Sequence, residues 1–254
     1  MIDAHIHIDD YKKESRLKVL QELKQYNVTA LIAVAKNITS SKLIYELSKD
    51  WLEIKPAFGY HPEQRLPTEQ EMEELIKFIE DHNDEMIAIG EVGLPFYQRT
   101  EDSSLPFEAY IELLEYFIRL AKKYNKPIVL HAVYEDAEIA LDLLEKHSID
   151  KAHFHWFKAD NSTVERLIAN RYHISVTPDI LYSQRSIDLM ATYPLTLTMV
   201  ETDGPWPFTG PFTGELTHPK MVHQVIRKIA SIKKLAVEEI YKVVYRNTKS
   251  FYRL

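Results

Sequence analysis

The sequence predicts an α/β protein built as a single (β/α)8 TIM barrel, on three observations. Eight short apolar or β-branched runs alternate with amphipathic stretches, histidines and acids recur at the C-terminal ends of those runs, and the chain has 254 residues. That length matches the roughly 250 residues of one such barrel.

The strand candidates, in order, are Ile2–Ile8, Val28–Ala35, Ile54–Tyr60, Met86–Val92, Pro127–His131, Ala152–Trp156, His173–Val176 and Leu195–Glu201. Between them, stretches such as Thr68–Asn83 and Phe107–Asn125 carry apolar residues three and four apart, the spacing of one helix face. Thr68 followed by Glu71 reads as a capping box that opens the first of these helices. Two further helices, about Pro219–Ser231 and Val237–Tyr252, end the chain. A repeated strand–helix order implies a parallel sheet under helices, and eight units imply closure. The alternative is an open, doubly wound sheet. It lacks support, because with 6 glycines the chain has no glycine-rich phosphate loop. Thr202–Pro219 is rich in Pro, Gly and Thr and reads as a long loop after the last strand, where such loops shape substrate pockets. No linker, repeat or low-complexity tract divides the chain, so residues 1–254 are expected to form one domain.

Composition narrows the function. No apolar run approaches the ~20 residues of a membrane span. The N-terminus, MIDAHIHIDD, carries acid where an export signal carries base, so a cytoplasmic location is expected. Cysteine is absent, so any metal must be held by nitrogen and oxygen. The net charge of −7 disfavours a long grip on a nucleic-acid backbone, which needs a basic stripe. It leaves open a nuclease that takes a strand end into a pocket, where bound metals supply the positive charge.

The chemistry lies where the histidines and acids fall. Asp3, His5 and His7 alternate along the first strand and are expected to share one face. Two imidazoles on a barrel's inner face need partners, either metal ions or hydrogen bonds within the core. Glu91 then ends the fourth strand, His131 the fifth and His155 the sixth, and Asp203 follows the eighth. Each is a nitrogen or oxygen ligand at the catalytic end of its strand. Four histidines and two carboxylates suffice for two divalent ions with one carboxylate bridging. Histidine-rich ligation leans toward Zn or Mn over Mg. His153 is read as core or as support beneath the metals, and Trp156, Trp206 and Phe208 as loop packing or a stacking surface. His82 and His147 fall near helix C-termini and receive no function.

Taken in order, DAHIHID, AFGYHPE, IAIGEVGL, PIVLHA, HFHWF, VETDGPW and RNTKSFY span the whole chain. In this order and spacing they resemble the TatD-type metal-dependent hydrolases of the amidohydrolase superfamily. The resemblance implies a nuclease-like phosphodiesterase that acts with divalent metal, often on DNA ends. It implies that His5, His7, Glu91 and Asp203 hold one metal ion and that Glu91, His131 and His155 hold the second, with Glu91 bridging. It further implies that Asp203 accepts the proton of the attacking water, that His61 contacts substrate phosphate, and that Asn247 is structural. Two positions depart from the family pattern. Pro95 replaces the usual Asp after GEVGL, and Val133 stands where the family has Arg. Losing a bidentate cation weakens phosphate recognition, with Lys158 and Arg185 as candidate replacements or plain surface residues. Hydrolysis of a phosphodiester, at nucleic-acid ends or in a small molecule, is therefore set beside hydrolysis of a C–N or ester bond. A structural metal in a binding module is the third reading, disfavoured because structural sites are closed cages. No protein partner is legible.

Overall fold

Eight short strands order the chain: β1 (Ile2–Ile6), β2 (Ala30–Val34), β3 (Ile54–Phe58), β4 (Ala88–Gly93), β5 (Ile128–His131), β6 (Ala152–Phe154), β7 (His173–Val176) and β8 (Thr198–Val200). In the computed structural model, which describes residues 1–254, they pair in parallel in sequence order. Two backbone bonds join the ends of that sheet, from Asp203 N to His5 O at 3.0 Å and from His7 N to Gly204 O at 2.8 Å. Ten helices follow in the connections: α1 (Lys13–Glu22), α2 (Ile38–Asp50), α3 (Glu69–Asp81), α4 (Phe96–Glu101), α5 (Phe107–Tyr124), α6 (Asp136–Lys146), α7 (Asn161–Ala169), α8 (Gln184–Thr192), α9 (Val222–Lys233) and α10 (Val237–Tyr252). None is long and apolar enough to cross a membrane.

The expected strands are all present, most of them trimmed at one or both ends; β7 keeps its expected bounds, β4 starts later and runs on to Gly93, and Leu195–Leu197 is a 3-10 turn ahead of β8. Thr68 caps α3 with the reciprocal Glu71 bond that its spacing predicts. Asn125 ends α5 in the left-handed region, φ 51°, a conformation that asparagine tolerates better than most residues. Pro219–Met221 forms a 3-10 turn leading into α9.

Two layers of burial follow from the alternation of strand side chains. Outward residues such as Leu31, Ile89, Leu130 and Phe154 pack with Leu114, Phe117 and other helix residues. Ala4, Ala30, Ile32, Ala57, Ala88, Val129 and Met199 form a separate cluster plugged by Phe251 and Tyr252 of α10. Asn247 ties α10 down by donating to the Leu195 and Thr198 carbonyls, both at 2.8 Å, which is the structural role expected of it.

Two β-bulges decide which side chains reach the mouth. Asp3 pairs with Leu31 and Ile6 with Ala33, so three steps along β1 match two along β2. Likewise Ile89 to Val92 of β4 matches Ile128 to Leu130 of β5. A bulge inserts one residue and re-aims those after it. The common face expected for Asp3, His5 and His7 is therefore broken. Asp3 pairs with Leu31 of the outer layer, and its carboxylate accepts from Thr202 N at 2.9 Å and from the Thr202 hydroxyl. Burial pushes the Asp3 carboxyl up to about 8 against those bonds. Beside the second bulge, Gly93 lets β4 approach β5: a Cβ there would overlap the His131 carbonyl.

Away from the mouth, His218 is buried, accepts from Lys220 N at 3.0 Å and lies 3.3 Å from Glu22. Burial, with Lys220 beside it, pushes its pKa down to about 4 in spite of Glu22. The unfolded chain then takes up this proton first, near pH 6.5. Stability is unaffected above that pH and falls by about 3 kcal/mol as pH drops from 6.5 to 4. His218→Asn keeps a capping acceptor without the titration. The thermal midpoint of the wild type is expected to fall more steeply than the variant's between pH 7 and 4.5, and equal slopes would refute the assignment.

Candidate metal centre at the barrel mouth

Glu91, wholly buried, stands at the centre of the mouth. Its Oε2 is 3.0 Å from His5 Nε2 and 3.1 Å from His7 Nε2. Its Oε1 is 3.1 Å from His131 Nδ1, 2.8 Å from His155 Nε2 and 3.3 Å from His61 Nε2. Asp203 Oδ1 completes the first side, at 3.5 Å from His5 and 3.7 Å from His7. All seven residues expected from the sequence therefore converge. His61 does so more closely than a substrate contact alone requires, since it also faces Glu91.

The donor set fits divalent cations. Two ligands of one tetrahedral zinc ion, each bonded at about 2.0–2.2 Å, lie about 3.3–3.6 Å apart, and the separations here bracket that range. His5 Nε2 and Glu91 Oε2 are buried without hydrogen-bond partners, and such groups are costly unless something pairs them. Four groups of three donors are close enough to share an ion: His5, His7 and Asp203; Glu91, His131 and His155; His7, His61 and Glu91; and His5, His155 and Glu201. Glu91 belongs to two of them.

Charge at the site follows from burial and neighbours. Burial opposes ionisation of Glu91, yet His155, His61 and His5, with the bond to His131, outweigh it and hold the carboxyl well below its usual range. For Asp203, burial prevails over His155 and His7 and pushes the carboxyl up to about 7. The backbone is forced here as well. Asp203 has φ 49° and Trp156, the residue after His155, has φ 37°. A bulky residue in the left-handed region is a strained placement of the kind that clusters at functional sites.

Three supporting carboxylates were not singled out in the sequence. Glu63 Oε1 lies 3.2 Å from His131 Nε2, while the carboxylate also accepts from Tyr97 N and Gln98 N at 2.9 and 2.8 Å. It thereby orients His131 so that Nδ1 faces Glu91. Burial opposes its ionisation, but the bonds from His131 and these two amides outweigh it and lower its pKa. Glu201 Oε1 accepts from Trp156 N at 2.8 Å and lies 3.7 Å from His155 Nδ1. A carboxylate bonded in this way, as Glu63 is to His131, fixes the tautomer and angle of a histidine, whereas Glu201 stands near His155 without bonding it. Asp179 accepts from the Trp156 indole at 2.9 Å. The only sequence signal for Glu63 and Glu201 was spacing, each two residues from a site residue, in HPE and ETD.

The remaining expectations sort by contact. His153 bonds Ser175 Oγ at 2.6 Å and Tyr252 Oη at 2.7 Å, and Ser175 in turn donates to Glu201, so it supports the site from below. A cavity of about 600 Å³ opens above Glu91, lined among others by Tyr97, Val133, Trp156, Lys158 and Trp206. Phe208 is buried beneath the rim with Phe212 and Met221. Arg185 is engaged by Tyr134, donating to its hydroxyl at 2.6 Å. His82 packs on Tyr45, and His147 bonds Glu115 at 2.6 Å. Pro95 precedes α4 as its N-cap.

Known proteins share both sequence and fold. The chain matches the family described as TatD related DNase over residues 2–253. It is 38% identical over 255 residues to a metal-dependent hydrolase of Haemophilus influenzae, covering 100% of both chains. It is 30% identical over 257 residues to human deoxyribonuclease TATDN3, covering 97% of this chain and 92% of that one. The crystal structure of YjjV, a TatD homologue from Escherichia coli, superposes with a TM-score of 0.89 at 24% identity, covering 100% of this chain and 98% of the other, which speaks to the shared barrel. With histidines and carboxylates positioned to hold metal at the mouth of that barrel, the chain belongs to the TatD family and is a metal-dependent hydrolase.

Proposed function

We propose that this protein, acting as one domain, is a phosphodiesterase that hydrolyses the ends of nucleic acids, DNA foremost, with two divalent ions. The observation that carries this reading is the division of Glu91: one oxygen faces His5 and His7, the other His131 and His155. In it, His5, His7, Glu91 and Asp203 hold one ion, and Glu91, His131 and His155 the other. A bound pair of such ions lowers the pKa of water and neutralises charge on the phosphoryl oxygens. Asp203 accepts the proton of the attacking water. His61, at the cavity wall, contacts a phosphate oxygen, and Glu63 holds His131 in place. A cavity of about 600 Å³ is the size of a small-ligand site, which suits a strand end better than a long duplex.

Val133 favours a second reading. It lines the cavity, so the position that carries Arg in the family pattern offers an apolar wall here, suited to a C–N or ester substrate. Metal-stripped protein with end-labelled single-stranded DNA and added Mg, Mn or Zn separates the two. Trimming that returns with metal is expected, whereas no cleavage despite two bound ions per chain would shift the reading to another bond.

A further inference from the structure

Lys158 is the cavity's one lysine without a carboxylate partner. Lys36, the other lysine lining it, is held by both oxygens of Asp10 at 2.5 and 2.7 Å. Lys158 makes no ion pair within 4 Å. Its Nζ donates to the Tyr97 hydroxyl at 3.3 Å and lies 4.0 Å from the centre of a Trp156 ring. Both aromatic residues are themselves anchored. Trp156 gives its indole N–H to Asp179 and its backbone N–H to Glu201, and Tyr97 N is held by Glu63. Burial lowers the Lys158 pKa against the more distant pull of Asp179, Asp203 and Glu201, as expected of an ammonium partly stripped of water with no carboxylate in contact. Of the carboxylates lining the opening, Asp10 is taken by Lys36 and Glu63 by His131, and Asp203, whose charge acts on Lys158 from a distance, lies beyond ion-pair range of it.

Lys158 shares the cavity with His131, His155 and Asp203 but forms no hydrogen bond or ion pair with them. The Tyr97 ring centre lies 6.0 Å from Lys158 Nζ and 6.1 Å from the His131 ring, so one aromatic ring neighbours both the ammonium and a residue of the cluster around Glu91. The exposed Trp206, 5.8 Å from Trp156, supplies a face on which a base can stack.

We propose that Lys158 binds a second phosphate of the substrate, next to the scissile one, and so makes the enzyme prefer a strand end with two phosphates over an isolated phosphodiester. This rests on the phosphodiesterase reading above. The Trp156–Tyr97 cradle holds the ammonium in place before substrate arrives, and the anion supplies the contacting charge that no carboxylate of the protein provides. It also accounts for Val133: recognition has passed from the fifth-strand loop to the sixth.

Metal-loaded wild type, Lys158→Met and Lys158→Arg are compared on 5′-phosphorylated thymidine dinucleotide and on bis(p-nitrophenyl) phosphate. For Lys158→Met, KM for the dinucleotide is expected to rise about 10- to 100-fold, the range of a lost charged hydrogen bond. Its kcat, and both constants for bis(p-nitrophenyl) phosphate, should stay within about twofold, with Lys158→Arg recovering most of the loss. Equal effects on both substrates, or none on either, would overturn the proposal. If the wild type cleaves neither compound, the phosphodiesterase reading falls, and binding of thymidine 3′,5′-bisphosphate decides the role of Lys158 by itself. At least tenfold weaker binding by folded Lys158→Met sustains it, and unchanged binding ends it.

Discussion

Replacing Glu91 by glutamine is expected to cut hydrolysis by at least about a thousandfold, equivalent to roughly 4 kcal/mol of lost transition-state stabilisation. Four histidines and His61 converge on the two oxygens of this one carboxylate. Glutamine keeps the volume and one carbonyl oxygen, but it puts an NH2 group against one set of imidazoles and cannot bridge two cations. If the wild type holds the two ions proposed above, occupancy should fall with activity, toward one or none per chain by elemental analysis. The variant should remain folded, because the barrel rests on the apolar layers inside and outside the sheet rather than on the mouth. A Glu91→Gln protein with full metal content and at least a tenth of wild-type activity would show that Glu91 neither bridges nor matters to the chemistry. Circular dichroism separates that result from simple unfolding.

The second large effect concerns Asp203. Its backbone is left-handed, φ 49°, and asparagine adopts that region more readily than most residues. Asp203→Asn therefore keeps the turn and the backbone bond from residue 203 N to His5 O that joins the ends of the sheet, while removing the carboxylate proposed as proton acceptor. General-base catalysis contributes about 10²- to 10⁴-fold, and kcat is expected to drop by that amount. Metal binding should divide: the Glu91, His131 and His155 set stays occupied, while the His5 and His7 set weakens. A variant with kcat within about tenfold of the wild type would remove Asp203 from proton transfer and leave it at most a ligand.

Most of the mouth was legible in the sequence because βα order is a local property. A run of IAIG before Glu91, or PIVL before His131, places each residue at a strand's C-terminal end wherever the strands lie, and the fold sends all such ends to one rim. The eight runs, the capping box at Thr68 and the candidate ligands His5, His7, Glu91, His131, His155 and Asp203, which the fold brings together at the mouth, could all be read this way. Asp3 marks the limit. Two-residue alternation grouped it with His5 and His7, but the β1 bulge depends on register against β2, which no local pattern reports.

Other features existed only after folding. Glu63 and Glu201 gain their roles from facing His131 and His155 across the mouth, 68 residues away in one case and 46 in the other. Lys158 gains its one side-chain bond from Tyr97, brought from 61 positions away to meet it over the cavity. By itself, then, the sequence determined the barrel, the metal-binding character of its mouth and the residues that line it, since periodicity and strand ends are written locally. Tertiary structure decided which carboxylate sits at the centre, which stand behind the histidines and which lysine is left without a carboxylate partner. Those are matters of distance between segments far apart in the chain, set by register and packing.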